Sequence, residues 1–213
     1  MTARFVRLLL TLLALWPVAA WAGDVPGRFG FYLLSLTWSP SYCAAEGGAR
    51  DDAQCQDGRR YGFLVHGLWP QYERGFPEDC PTNLAPAEAD IRGLADLMPA
   101  RGLVRHEWQK HGACSGLAPT DYLKTIRAAR ETVRVPAAFQ RIDSYRTVSP
   151  AEVEAAFIAA NPGLKAEGIA VTCDGRRLRE VRICLTRDLG FRACDEVDRR
   201  GCRADRVVMP PVR

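Results

Sequence analysis

Eight cysteines restrict what this chain can fold into more than any other feature. Cys43, Cys55, Cys80, Cys114, Cys173, Cys184, Cys194 and Cys202 all follow a leader with the marks of a secretory signal. Arg4 and Arg7 give the leader a basic start. Leu8 to Ala20 is an apolar run broken only by Thr11 and Pro17, and Ala20-Trp21-Ala22 is a small-x-small cleavage pattern. The run is too short and wrongly flanked for a membrane span, and no later stretch is apolar enough to make one. An even cysteine count behind such a leader implies disulfides formed in an oxidising compartment. No C-x-x-C pair occurs, which speaks against zinc knuckles and thioredoxin-type redox chemistry. On the order of a hundred pairings are open to eight cysteines, and the residues alone choose none of them. The expectation is a single periplasmic or secreted domain over residues 23–213, with the signal peptide 1–22 removed.

That segment has 191 residues, enough for one domain with a full core. It carries 27 Lys and Arg against 25 Asp and Glu, a balance of only +2. Bulk charge would hold nucleic acid weakly, so any preference for it must come from a local site. Neither Asn83 nor Asn161 begins a glycosylation sequon.

The periodicity points to an α+β fold with an antiparallel sheet. Phe31 to Trp38 and Tyr61 to Leu68 read as apolar strands. Ile169 to Cys173 and Leu178 to Leu185 flank Asp174-Gly175, a hairpin turn signal. Helices are expected over 87–98, 121–133 and 150–160. The last follows Ser149 with Glu152 three residues on, a capping-box pattern, and stops before Asn161-Pro-Gly. Strands early and late with helices between argue against regular βαβ winding. Gly47 to Arg60 is polar and glycine-bearing, and reads as a loop closed by a cysteine pair.

Only three histidines are present, and all lie in two tryptophan-bearing segments. His66 sits in HGLWP (residues 66–70), and His106 and His111 in HEWQKHGAC (residues 106–114). Histidine is the side chain whose ordinary pKa allows proton exchange near neutral pH. Taken as a helix over 105–112, with 100° per residue, the second segment gathers His106, Lys110, Glu107 and His111 within about 140° of arc. Such a face is costly to bury unless it is paired or working. A zinc-protease HExxH motif needs its second histidine at i+4, where this chain has Lys110. A Cys–His nucleophile on Cys114 conflicts with the even cysteine count. Two histidines, a lysine and a carboxylate suit phosphodiester cleavage by an internal hydroxyl: one imidazole takes a proton, another returns one, and a cation steadies the phosphoryl oxygens. RNA supplies that hydroxyl beside its phosphorus and DNA does not.

Both segments resemble the two active-site segments of the ribonuclease T2 family. HGLWP agrees letter for letter, and HEWQKHGAC agrees except that Ala113 stands where threonine is usual. LTWSPSYC (residues 36–43) is similar to the family's first strand and cysteine. The resemblance implies a ribonuclease T2-like α+β domain acting on single-stranded RNA through a 2′,3′-cyclic phosphate to a 3′-phosphate. It implies His111 as general base, His66 as general acid, and Lys110 and Glu107 as stabilisers of the transition state. His106 would bind the phosphate and Trp69 would stack on a base. It further implies the pairs Cys80–Cys114, Cys43–Cys55, Cys173–Cys202 and Cys184–Cys194. No metal or cofactor is expected, nor DNA cleavage, nor membrane attachment once the signal is cut, and a monomer is the expected state. Leu103 and Val104 stand where the family often has aromatic residues, and Gln71-Tyr72 fixes no base preference. Two other classes stay open. A silent binding protein on the same scaffold would lack an essential histidine. A metal-trafficking protein would need free thiols and clustered ligands.

Overall fold

The computed structural model describes residues 24–45, 53–56, 58 and 60–212. The expected signal peptide, residues 1–22, and much of the expected loop at 47–60 lie outside the described residues. Twelve helices and strands are described, six of each besides short 3-10 turns: β1 Phe31–Trp38, α1 Ser39–Ala45, β2 Phe63–Gln71, α2 Glu88–Gly93, α3 Arg101–Lys110 and α4 Pro119–Thr132, then β3 Arg146–Val148, α5 Pro150–Ala160, β4 Ile169–Cys173, β5 Leu178–Leu185, α6 Asp195–Arg199 and β6 Val207–Met209. The fold is α+β. Four antiparallel strands form the main sheet in the order β2-β1-β5-β4, and β3 pairs with β6 in a small second sheet.

The main sheet has two different faces. Tyr32, Leu34, Leu36 and Trp38 of β1 join Val181, Ile183 and Leu185 of β5 in the large core, beneath Ile126 of α4 and Phe157 of α5. Burial of a side chain such as Phe157 contributes about 1.5–3 kcal/mol. Paired residues of neighbouring antiparallel strands project to the same face, so the register defines the other face too. Leu33 lies between Trp69 and Cys184, Ser35 between Gly67 and Arg182, and Thr37 beside Glu180. Only a small cluster of Phe31, Leu33, Ala170, Cys184, Cys194 and Val197 covers one end of it.

Both borders of this sheet are closed. On β2, the Val65 amide donates to Leu97 O, and Leu68 O accepts from the Tyr122 hydroxyl. Pro70 has no amide hydrogen at all. On β4, the Val171 amide donates to Glu154 and Val171 O accepts from the Cys202 amide. Four disulfides join Cys43–Cys55, Cys80–Cys114, Cys173–Cys202 and Cys184–Cys194, the pairs that the resemblance implies.

Several elements differ from expectation. β2 continues through Trp69-Pro70 to Gln71, because an outer strand tolerates a proline whose nitrogen faces away from its neighbour. The helix expected over 87–98 is regular only to Gly93. Glycine disfavours helix continuation, and the chain proceeds in turns that still bury Leu94 and Met98. The helix expected over 105–112 starts earlier, at Arg101, and ends at Lys110, with His111 at φ −128°. β4, β5 and α5 occupy their expected spans. α5 has the full capping box, Glu152 N–H to Ser149 Oγ at 3.1 Å and Ser149 N–H to Glu152 Oε2 at 2.5 Å.

Candidate active site

The residue that organises the site is the one that breaks the β1–β2 ladder. Ser35 pairs with Gly67 and Leu36 pairs with Val65, so His66 is left without a partner and forms a β-bulge. In an unbroken strand, residues 66 and 69 would point to opposite faces. The extra residue resets the alternation. His66, Gly67 and Trp69 therefore share the open face, and the His66 and Trp69 ring centroids lie 5.2 Å apart, edge to face.

Helix α3 brings the second segment against this strand. Its buried side is Val104, Glu107 and Trp108. Trp108 is core: it donates to Leu84 O at 2.8 Å and packs on Tyr122. Glu107 is 2% exposed, and its Oε2 accepts from Trp69 Nε1 at 2.6 Å. Its Oε1 lies 3.7 Å from His66 Nε2. Gly67 makes this approach possible, since a Cβ there would collide with the Glu107 carboxylate and with Trp69 Nε1. Gly112 is as constrained, because a Cβ would run into the rings of Tyr122 and Trp108.

The single arc of four ionisable groups expected from helical geometry is split. His106 is exposed on α3, though near enough for its charge to act on Glu107 and His111. Lys110 turns to Glu78 and Asp79, with Nζ at 2.6 and 2.7 Å from their carboxylates. Asp79 also donates its amide to Lys110 O, and Cys80–Cys114 holds that loop in place. The helix ends before His111, and this turns its ring against Trp69 (centroids 5.3 Å apart) and Phe76 (6.0 Å). The two imidazoles thus flank one indole.

Their surroundings are opposite. His66 Nδ1 lies 2.5 Å from Glu180 Oε1 of β5. Burial works against its charged form, but the Glu180 hydrogen bond and charge, with Glu107, outweigh it and raise its pKa above 6.5. His111 Nδ1 is buried with no hydrogen-bond partner among the described residues. Burial, with the adjacent Lys110 ammonium, lowers its pKa to about 4. Burial raises the Glu107 carboxyl above the usual range, against the pull of His66. Arg182 completes the circuit: Nη2 sits 2.7 Å from Glu180 Oε2 while its guanidinium lies 5.3 Å from the Trp69 ring. Sequence reasoning missed Glu180 and Arg182. The available signal was a single acidic residue, Glu180, set between Arg179 and Arg182 in a strand whose other members are apolar.

Beside this cluster lies a cavity of about 270 Å³. Trp69, Lys110 and His111 line it on one side, and Phe31, Leu33 and Phe76 are among its apolar walls.

Residues 29–194 match the Ribonuclease T2 family. The chain belongs to that family. A ribonuclease from Aeromonas hydrophila is 37% identical over 191 residues, 87% of this chain and 85% of the relative. Ribonuclease I of Escherichia coli is 29% identical, over 76% of this chain and 77% of its own length. Among solved structures, an RNase-related protein from Calystegia sepium superposes with a TM-score of 0.70 at 18% identity, covering 87% of this chain and 98% of that one. That likeness shows the shared fold. Membership makes the chain a T2-type endoribonuclease, with RNA as its substrate.

Proposed function

We propose that this ribonuclease cleaves single-stranded RNA in two metal-independent steps, with His111 and His66 as the proton-transfer pair. The observation that carries this reading is the placement of two imidazoles on either side of Trp69, one bonded to a carboxylate and the other with a buried, unpartnered Nδ1 among the described residues. Between about pH 4 and a point above pH 6.5, His111 is neutral and His66 is protonated. A base and an acid are then ready in the same molecule. His111 takes the proton of the 2′-hydroxyl as its oxygen bonds to phosphorus. The bond to O5′ breaks, and His66 delivers its Nε2 proton to that oxygen. In the second step the roles reverse: His66 takes a proton from water, the water oxygen bonds to phosphorus as the P–O2′ bond breaks, and His111 returns a proton to O2′. Lys110 keeps one N–H beyond those given to Glu78 and Asp79 for a phosphoryl oxygen. Glu107, buried and close to His66, shares in stabilising the five-coordinate phosphorus. His106 meets the phosphate from the exposed side of α3, and a base stacks on Trp69 in the adjoining cavity. DNA lacks the internal nucleophile and is not cut.

The same proposal makes residues 1–22 a removed signal, and 23–213 a single domain acting as a monomer in the periplasm or outside the cell. Four disulfides fit an oxidising compartment. No described helix is long and apolar enough to cross a membrane. The test is incubation of RNA with the protein in EDTA, followed by identification of the product ends. Cyclic phosphate that matures to 3′-phosphate is the expected result. Ends bearing 5′-phosphate, or activity lost in EDTA and restored by zinc, would refute the mechanism.

A further inference from the structure

Glu180 lies outside both motif segments and is 7% exposed. It belongs to β5, whereas His66 belongs to β2, with β1 between them. Strands two apart in a sheet are about 10 Å from one another. The two side chains therefore meet by reaching toward each other above β1. The β1 residues beneath them are the small Ser35 and Thr37, and the bulge turns His66 onto that face. The two Glu180 oxygens have separate partners. Oε2 takes the Arg182 guanidinium, at 2.9 Å from Nε and 2.7 Å from Nη2. Oε1 is left for His66 Nδ1 at 2.5 Å. Burying a carboxylate is costly unless it is paired, and Arg182 alone would neutralise this one. The short bond to His66 is an additional commitment.

We infer that Glu180 is a positioning residue for His66: it accepts the Nδ1 proton and thereby reserves Nε2 for proton transfer in both steps. The inference rests on the mechanism proposed above. With Nδ1–H held by Glu180, a protonated His66 can lose only its Nε2 proton to O5′. The neutral ring left behind is the Nδ1–H tautomer, whose Nε2 lone pair faces the site and can take the proton of the attacking water. A buried carboxylate behind an imidazole fixes tautomer and orientation in this way without itself becoming protonated. Four charged or titratable groups face His66. Glu180 from β5 and Glu107 from α3 favour its charged form. Arg182 from β5 opposes it, as does His111 at the end of α3 when protonated.

Glu180→Gln keeps shape and an acceptor but removes the charge. The alkaline limb of kcat/KM should move down by about one pH unit or more, so the wild-type-to-variant rate ratio should grow about tenfold between about pH 5 and about pH 8. Glu180→Asp, which restores the charge, should return the limb toward its original place. A uniform loss at all pH values with an unmoved limb would overturn the inference, because a merely structural ion pair predicts that result. A second measurement needs no variant at position 180. In ¹⁵N-histidine spectra of the wild-type protein, with His66 assigned by its absence from His66→Gln, the neutral ring should carry its proton on Nδ1. A proton on Nε2 would overturn the inference even if Glu180→Gln did not fold. If the wild type cut no RNA, the mechanism above would fall, while the spectra would still decide whether Glu180 holds His66.

Discussion

The two flanks of Trp69 present the same side chain in opposite settings. On one flank His66 lies between two carboxylates, Glu180 and Glu107, and is pushed toward its charged form. On the other His111 is half-buried against aromatic rings beside an ammonium, and is held neutral down to about pH 4. The contrast teaches that neighbours alone can give two identical imidazoles different proton affinities, and the proposed split between acid and base follows from that difference.

The comparison breaks most completely when either ring is removed. His66→Ala and His111→Ala should each lower kcat/KM by about 10²–10⁴-fold, measured on a dinucleotide substrate. Rates near wild type in either variant would refute the assignment. Gly67→Ala strikes the wall between the flanks. The added methyl must displace Glu107 or the Trp69 indole, so a loss of about 1–3 kcal/mol in denaturant unfolding is expected, with a fall in kcat. Unchanged stability would contradict the close approach.

Loss of the disulfide in Cys80→Ala/Cys114→Ala should cost about 2–4 kcal/mol. Its effect should fall on the His111 flank, where Asp79 and Lys110 are tethered, so that ¹⁵N-histidine spectra show the His111 resonances shifting more than those of His66. The smallest effect is expected from Glu78→Gln. The wild-type kcat/KM profile should be bell-shaped, with an acid limb near pH 4 from His111 and an alkaline limb above pH 6.5 from His66. The Glu78 carboxylate raises the His111 pKa, so its removal should shift the acid limb lower by a fraction of a unit and leave the alkaline limb alone. Movement of the alkaline limb instead would show that the flanks are not independent.

The strongest local signals in the sequence match the structure, and features that depend on distant partners are not legible there. Asp174-Gly175 between alternating strands fixes the β4–β5 hairpin without outside help, and Ser149 with Glu152 fixes the start of α5. The motif segments name His66, Glu107, Lys110 and His111 because their residue types and spacing carry chemistry. The wheel drawn through 105–112 failed where the helix stopped, because nothing in a periodicity reveals that Lys110 will turn to Glu78 and Asp79. The bulge at His66 was invisible for a similar reason: it exists only relative to the pairing of β1. Glu180 needed the most information of all, the order of three strands. The run from Ala87 to Met98 shows the reverse error, a true buried stripe that Gly93 does not allow to remain one regular helix.

The sealed borders of the main sheet have a consequence for the life of the protein in crowded surroundings. An open sheet edge is a template on which a foreign strand, or a second copy, can zip itself into place. Here Leu97, Tyr122 and the missing proline hydrogen occupy one rim, and Glu154 and Cys202 the other. Those five positions offer no ready footing for fibrous growth.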